Sequence, residues 1–466
     1  MHQLVREAWD PIFNVWATAP QERPSWEAFS AEYGPEIAAL RVDQRMDKIT
    51  VEDLAEAIKS KRASMVGGLD SWQMAEVKLL PPQLLQLAVE IFDLAETGAG
   101  WPEAIEVCIS PLIPKASDEG GPTGLRPIAL MSVWYSVWSS ARFRATKTWQ
   151  ARALPTHLAG GRSRREAGDA FYDTALAVEA AALDLPEQSD MLIAFGDRTK
   201  CFDRLVPEVI LPLLIAVGID PRVATALAAL YSNLRRLWRL GRFVGDPWRP
   251  GNGCLQGCAM TVLLCNILFA IWVLRLRNVA PAVVPTTFLD DCSFRVALSD
   301  RDEYRIAWEE TVEFDKFSGQ ALHMKKTVVS GTSDAARRSR GRAAGRQAGA
   351  RHQDLGSGPE LDSREEAEHR RWSRREGHRR RLACGQIALR PRDARHVLGI
   401  QGYCRALLGI VRHQPSRGPL EASRDAVQDC RLGLASPQRV AGDHPEHLAQ
   451  GSPHASTERA CVHGHS

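Results

Sequence analysis

The composition of the chain changes once, and that change limits how much of it can fold. No Lys occurs after Lys326 and no Phe after Phe317, while 24 of the 49 Arg and ten of the 13 His lie beyond residue 335. A segment rich in Arg, Gly, Ser, Ala and His buries too little apolar surface to offset the entropy of ordering its backbone. The expectation is a folded region ending near residue 331, followed by a disordered, Arg-rich tail over 332–466. That tail resembles translation in a shifted frame, or a basic arm, and its Cys and His lack zinc-ligand spacing. The region before the break is long enough to bury a sizeable core. With a net charge of only +3, partners must be read from local clusters rather than from the sum.

The ten Cys are scattered without a C-x-x-C pair, which points to a reducing, intracellular setting, nuclear or cytoplasmic. The first residues, M-H-Q-L-V-R-E-A-W-D, contain no signal-peptide core. Residues 259–274 are almost entirely apolar but include Asn266. They are short for a membrane span and read as a buried core helix, so no membrane partner is expected. Residues 1–48 show no clear period and receive no role. Thr50 with Asp53 marks a helix start, and residues 82–95 have helical spacing. Residues 131–153 read as one aromatic and basic helix, and 322–329 as a strand.

The chemistry centres on V-P-T-T-F-L-D-D-C-S-F. Two apolar, β-prone runs around a tight acidic dipeptide predict a hairpin with Asp290 and Asp291 at its turn. A third acid, Asp197, ends the buried strand expected over 191–195. If the two strands are neighbours, the three acids cluster. Close carboxylates repel unless a cation sits between them, and hard oxygen ligands without nearby His or Cys favour Mg²⁺ or Mn²⁺. Two such ions about 4 Å apart activate a hydroxyl and stabilise a leaving pyrophosphate. Lys115 and Arg126 flank a Gly/Pro loop between two short strands and are placed to clamp a phosphate chain. The R-P-G-N-G-C-L-Q-G turn before the apolar helix permits close backbone approach to a ligand. The cluster around Arg162, Arg164 and Arg165 suits a nucleic-acid backbone.

In order and wording these blocks resemble the reverse transcriptase domain of non-LTR (LINE-type) retrotransposons. G-G-L-D-S-W, L-I-P-K with R-P-I-A-L, F-G-D-R-T-K-C-F-D, G-C-L-Q-G and F-L-D-D with G-Q-A-L-H-M-K-K-T carry the likeness, which covers roughly residues 45–331. The resemblance implies an α+β right-hand palm and fingers over 49–331, with an antiparallel palm sheet and an N-terminal extension over 1–48; such enzymes normally continue into a helical thumb, which the composition of 335–466 does not supply. It implies an RNA-directed DNA polymerase acting on an RNA template, a DNA primer and deoxynucleoside triphosphates with two Mg²⁺ or Mn²⁺ ions. Asp197, Asp290 and Asp291 become the metal carboxylates, with the Arg198 carbonyl as a further ligand. Lys115, Arg126, Phe202, Gln256, Gly257 and Lys326 become nucleotide contacts, Phe202 as the ring that excludes a ribose 2′-hydroxyl. Departures are Leu289 where a smaller residue is usual, Ala259-Met260-Thr261-Val262 in place of P-L-S-P, and Met324 in place of Asn. The missing thumb leaves a second expectation: a catalytically silent retroelement relic that retains nucleic-acid binding. Related palm enzymes that use ribonucleotides are disfavoured by Phe202.

Overall fold

The computed structural model describes residues 2–114, 121–182, 190–333 and 336. Lys115 and nearly all of the expected tail lie outside the described residues. The fold is mixed α+β. Three helices open the chain: α1 His2–Phe13, α2 Trp26–Glu32 and α3 Gly34–Leu40. They are followed by α4 Val51–Lys59, α5 Met74–Val77 and α6 Pro82–Glu96. Next come strands β1 Val107–Pro114 and β2 Leu125–Pro127, then helices α7 Val133–Ala145, α8 Lys147–Ala153 and α9 Ala167–Ala182. Strand β3 Met191–Gly196 leads into α10 Cys201–Arg204, α11 Pro207–Ala216 and α12 Pro221–Asn233. Strands β4 Arg235–Leu240 and β5 Phe243–Val244 precede the long helix α13 Ala259–Val279. The hairpin β6 Val284–Phe288 and β7 Asp291–Ala297, helix α14 Arg301–Ser318 and strand β8 Val328–Gly331 complete the order.

Two four-stranded sheets result, ordered β2-β1-β4-β5 and β6-β7-β3-β8. The second is antiparallel throughout. The first contains one parallel pair, β1 with β4. Helix α13 is the axis of the main core. Its side chains from Met260 to Leu276 are largely buried on every face, as expected for a helix that is apolar all round. It is long and apolar enough to cross a membrane by length and composition, but most of it is buried inside the protein. Its apolar middle is interrupted by Asn266, wholly buried, whose Nδ2 donates to the Gly160 carbonyl at 2.8 Å.

Local signals account for several boundaries. The Thr50 hydroxyl and Asp53 carboxylate form a reciprocal capping box at the start of α4. Gly319 ends α14 in a left-handed conformation, φ 77°. Two expectations need correction. Residues 131–153 form two helices, because Thr146 turns the chain between α7 and α8. Residues 323–327 are not a strand: Leu322 forms a single antiparallel bridge with Arg198, then Lys326 N and Thr327 N both donate to the His323 carbonyl, and pairing resumes only at Val328.

Buried charge pins the helices. Glu96, at the end of α6, accepts from Trp138 Nε1 at 2.8 Å and from Arg142 Nε at 2.5 Å, both on α7. Arg222 Nε on α12 reaches its other oxygen at 3.3 Å. Both Glu96 and Arg142 are buried, so neither charge can be left alone cheaply. Glu96→Ala is expected to cost about 3–5 kcal/mol of stability, the penalty for stranding a buried guanidinium. Urea unfolding of the purified variant measures this.

Candidate active site

Strand β3 delivers Asp197 to the site. Gly196 pairs with Cys292 at the start of β7, so the register runs on towards Asp197 and Asp291. Strand β7 is also the second arm of the expected hairpin. Phe288 pairs with Asp291, leaving Leu289 and Asp290 as a two-residue turn. The neighbouring strands thus bring the acids of two distant segments to one end of the sheet.

The turn is under strain and is supported from outside. Leu289 sits at φ 57°, a left-handed conformation that a branched side chain adopts only under constraint. The 157–160 segment runs along β6, with Ala159 N donating to Thr287 O and Thr287 N to His157 O, both at 3.0 Å. It ends at Gly160, where a Cβ would lie 2.6 Å from Leu289 N, so only glycine permits this approach. The Gly/Arg turn read from sequence as basic is therefore a buttress. Arg162 belongs to it: Nη1 donates to the carbonyls of Pro155 and Leu158 at 2.7 and 3.2 Å, and Nη2 to that of Gln150 at 3.2 Å. Its guanidinium is committed to main chain rather than presented to a partner. Arg164 and Arg165 are exposed beside Tyr172, Asp169 and Asp173.

Asp197 and Asp290 are the acids that interact. Burial pushes the Asp290 carboxyl above its ordinary range and the charge of Asp197 pushes it further, while Arg126 and Arg198 pull it back. Arg126 is exposed on β2, in the other sheet, and its charge is felt at Asp290. Lys326 Nζ lies 3.8 Å from Asp197 Oδ2. The Asp197 carbonyl accepts from His323 N at 2.7 Å, and Thr199 N donates to Ala321 O at 2.8 Å. The 319–327 turn therefore clamps the segment that leaves β3. Arg198 points inward: its guanidinium is fully buried against Asp315, Nε to Oδ1 at 3.0 Å.

Beyond the acids, α10 carries Phe202, half-buried and packed on the main core. Its carbonyl accepts from Cys254 N at 2.8 Å. Gln256 donates through Nε2 to Asp203 Oδ2 at 2.9 Å, and its carbonyl accepts from Ala129 N at 3.3 Å. Gly257 is exposed at φ 99° and leaves open backbone at that corner. Asp203 and His323 were not singled out in the sequence. Asp203 lies within the F-G-D-R-T-K-C-F-D block, but what it holds is 53 residues away.

Among the described residues, no group of three or more His, Cys, Asp or Glu side chains is gathered to hold a metal ion. The interacting pair nonetheless suits a hard divalent cation: two carboxylates, one of them resisting ionisation through burial first and the charge of the other next. Mg²⁺ is commonly held by one or two carboxylates, with water and substrate phosphates completing its shell, and Asp197 with Asp290 fit that description. No family model matches the chain, and no curated protein matches it.

The raised Asp290 carboxyl has a signed consequence. The folded state holds this proton more tightly than the unfolded chain, so its contribution turns unfavourable as pH rises above the ordinary value of 3.8. Asp290→Asn should therefore unfold at a higher temperature than the parent at pH 7 without divalent ions. The gain should vanish below about pH 4, where both proteins carry a neutral side chain. Calorimetry across that range checks it.

Proposed function

We propose that the chain is an RNA-directed DNA polymerase of the non-LTR retroelement kind, extending a DNA primer on an RNA template. The observation that carries this reading is geometric: the β3–β7 register and the Leu289–Asp290 turn bring Asp197 and Asp290 to one end of the antiparallel sheet, where Asp290 feels the charge of Asp197 and, from the other sheet, that of the exposed Arg126. A cation opposite two metal-competent carboxylates is what a triphosphate needs, since phosphoryl chemistry asks mainly for positioning and charge. In these terms the sheets β6-β7-β3-β8 and β2-β1-β4-β5 are the palm and the fingers.

Two divalent ions would supply activation of the primer hydroxyl and stabilisation of the leaving pyrophosphate. Asp197 and Asp290 would hold them, with Asp291 and the Arg198 carbonyl as further oxygen donors. Arg126 meets the triphosphate charge. Lys326, within reach of Asp197, limits the negative field of the acids. Gln256, oriented by Asp203, and the open backbone at Gly257 form the corner against which nucleotide and template lie. Phe202 presents its exposed edge to the sugar. Arg164 and Arg165 offer surface charge to a phosphate backbone, a contribution that weakens with salt.

Asp290→Asn is expected to abolish primer extension on an RNA template with Mg²⁺ or Mn²⁺, while the protein remains folded. Extension at the parent rate would refute the assignment. A parent protein that binds template in a salt-sensitive way but extends no primer would instead identify the silent relic.

Sugar choice is tested separately with Phe202→Ala. A ring packed on the sugar face penalises a 2′-hydroxyl by stripping its water, on the order of 1–3 kcal/mol. The variant should accept ribonucleotides about tenfold or more better with deoxynucleotide use kept. A uniform loss for both sugars, together with lower stability, would show that the ring serves only the core.

A further inference from the structure

Residues 1–48 received no role from sequence, yet α1 touches both segments assigned to the nucleotide. Its middle residue Trp9 is fully buried and donates through Nε1 to the Pro122 carbonyl at 3.0 Å. Lys200, three residues past Asp197, lies over the same indole, with Nζ 4.3 Å from the ring centre. It also donates to the neighbouring Thr123 carbonyl at 2.7 Å. The short turn Pro122–Gly124 that these bonds hold leads straight into β2 and Arg126.

The other end of α1 meets the glycine-rich turn before α13. The carbonyls that the last turn of a helix leaves open need donors, and residues 251 and 252 supply them. Gly251 N and Asn252 N donate to Phe13 O at 2.8 and 3.0 Å. Asn252 Nδ2 donates to Ile12 O at 2.8 Å, and Asn252 Oδ1 accepts from Val15 N at 3.1 Å. The same Nδ2 donates to Asp203 O at 2.7 Å, and the Asp203 carboxylate holds Gln256. Between the two ends, Trp9 and Phe13 close over Trp238 and Trp248, with centroids 5.2–6.1 Å apart, which makes the helix a stiff strut.

We infer that α1 is a brace that fixes the spacing between Arg126 and Gln256, and that Trp9 and Asn252 are positioning residues for the incoming deoxynucleoside triphosphate. The inference rests on the polymerase reading for its ligand, though not for its mechanics. A helix that merely covers an apolar patch would leave nucleotide affinity untouched when one polar bond is removed.

The test uses the full chain with Trp9→Phe, which keeps an aromatic ring over Lys200 and deletes the donor to Pro122, and with Asn252→Ala. Amide exchange followed by mass spectrometry should quicken about two- to tenfold over residues 121–126 in Trp9→Phe, the loss expected for one hydrogen bond. In Asn252→Ala it should quicken at Ala129, whose N–H is held by Gln256. Exchange over 157–160 should not change in either variant. KM for deoxynucleotide should rise by a similar factor, with kcat and primer–template affinity kept. Unchanged exchange in both variants overturns the brace. Faster exchange with an unchanged KM overturns its link to the nucleotide. A parent protein that extends no primer overturns the polymerase reading instead, and the brace then stands or falls on exchange alone.

Discussion

A guanidinium without water must find its partners inside the protein, and Arg198 sits beside the residue on which the candidate site turns. Desolvating such a charge costs several kcal/mol unless geometry compensates. Compensation here comes from three elements. Asp315 on α14 takes its Nε, Cys292 on β7 lies 2.7 Å from its Nη1, and Phe269 and Trp272 on α13 face its plane at 4.4 and 5.6 Å. The main chain at 197–199 cannot shift without pulling this side chain out of all three. The position of Asp197 is thus set from behind, by packing, rather than by contacts among the acids, which only repel one another. The charge of Arg198 also offsets part of that repulsion at Asp290.

A second, partly exposed cluster acts further along α13. Arg275 bridges Glu32 at 2.6 Å and Glu310 at 3.2 Å, tying α2 and α14 to the same central helix. Asn278 donates to Glu36 on α3 at 2.9 Å, and burial together with Glu310 raises the Tyr33 hydroxyl well above its usual range. Apolar packing alone would let helices slide along so uniform a surface. Fixed polar contacts at Asn266, Arg275 and Asn278 remove that freedom.

What the sequence made legible is what short-range chemistry decides. The acidic hairpin follows from β-prone runs around a two-residue turn, the α4 start from Thr50 and Asp53, and the burial of α13 from its lack of a polar face. The neighbourhood of β3 and β7 was also expected from acids at two strand ends. The long-range features were not legible. Arg162 reads as surface charge because nothing local announces the three carbonyls it meets. Leu322 and Val328 have strand character, and Leu322 does bridge Arg198, but the turn that Lys326 N and Thr327 N close on the His323 carbonyl bends the segment between them. Asp203 becomes meaningful only once Gln256 is folded onto it. Helix α1 finds the acceptor for its Trp9 indole only at Pro122.

That last separation bears on how the chain comes to be folded. Trp9 finds its acceptor 113 residues later, and the carbonyl of Ile12 finds its donor 240 residues later. At about 5–20 residues per second on a ribosome, α1 therefore waits roughly 10–50 s for the turn that caps it. Until residues 238–252 emerge, the faces of Val5, Trp9 and Phe13 lack the Trp238 and Trp248 rings they pack on in the finished protein, and closing so long a loop is slow once the turn does arrive. The same helix that stiffens the finished protein is thus an exposed aromatic segment during synthesis. Chaperone binding or misassembly would concentrate there.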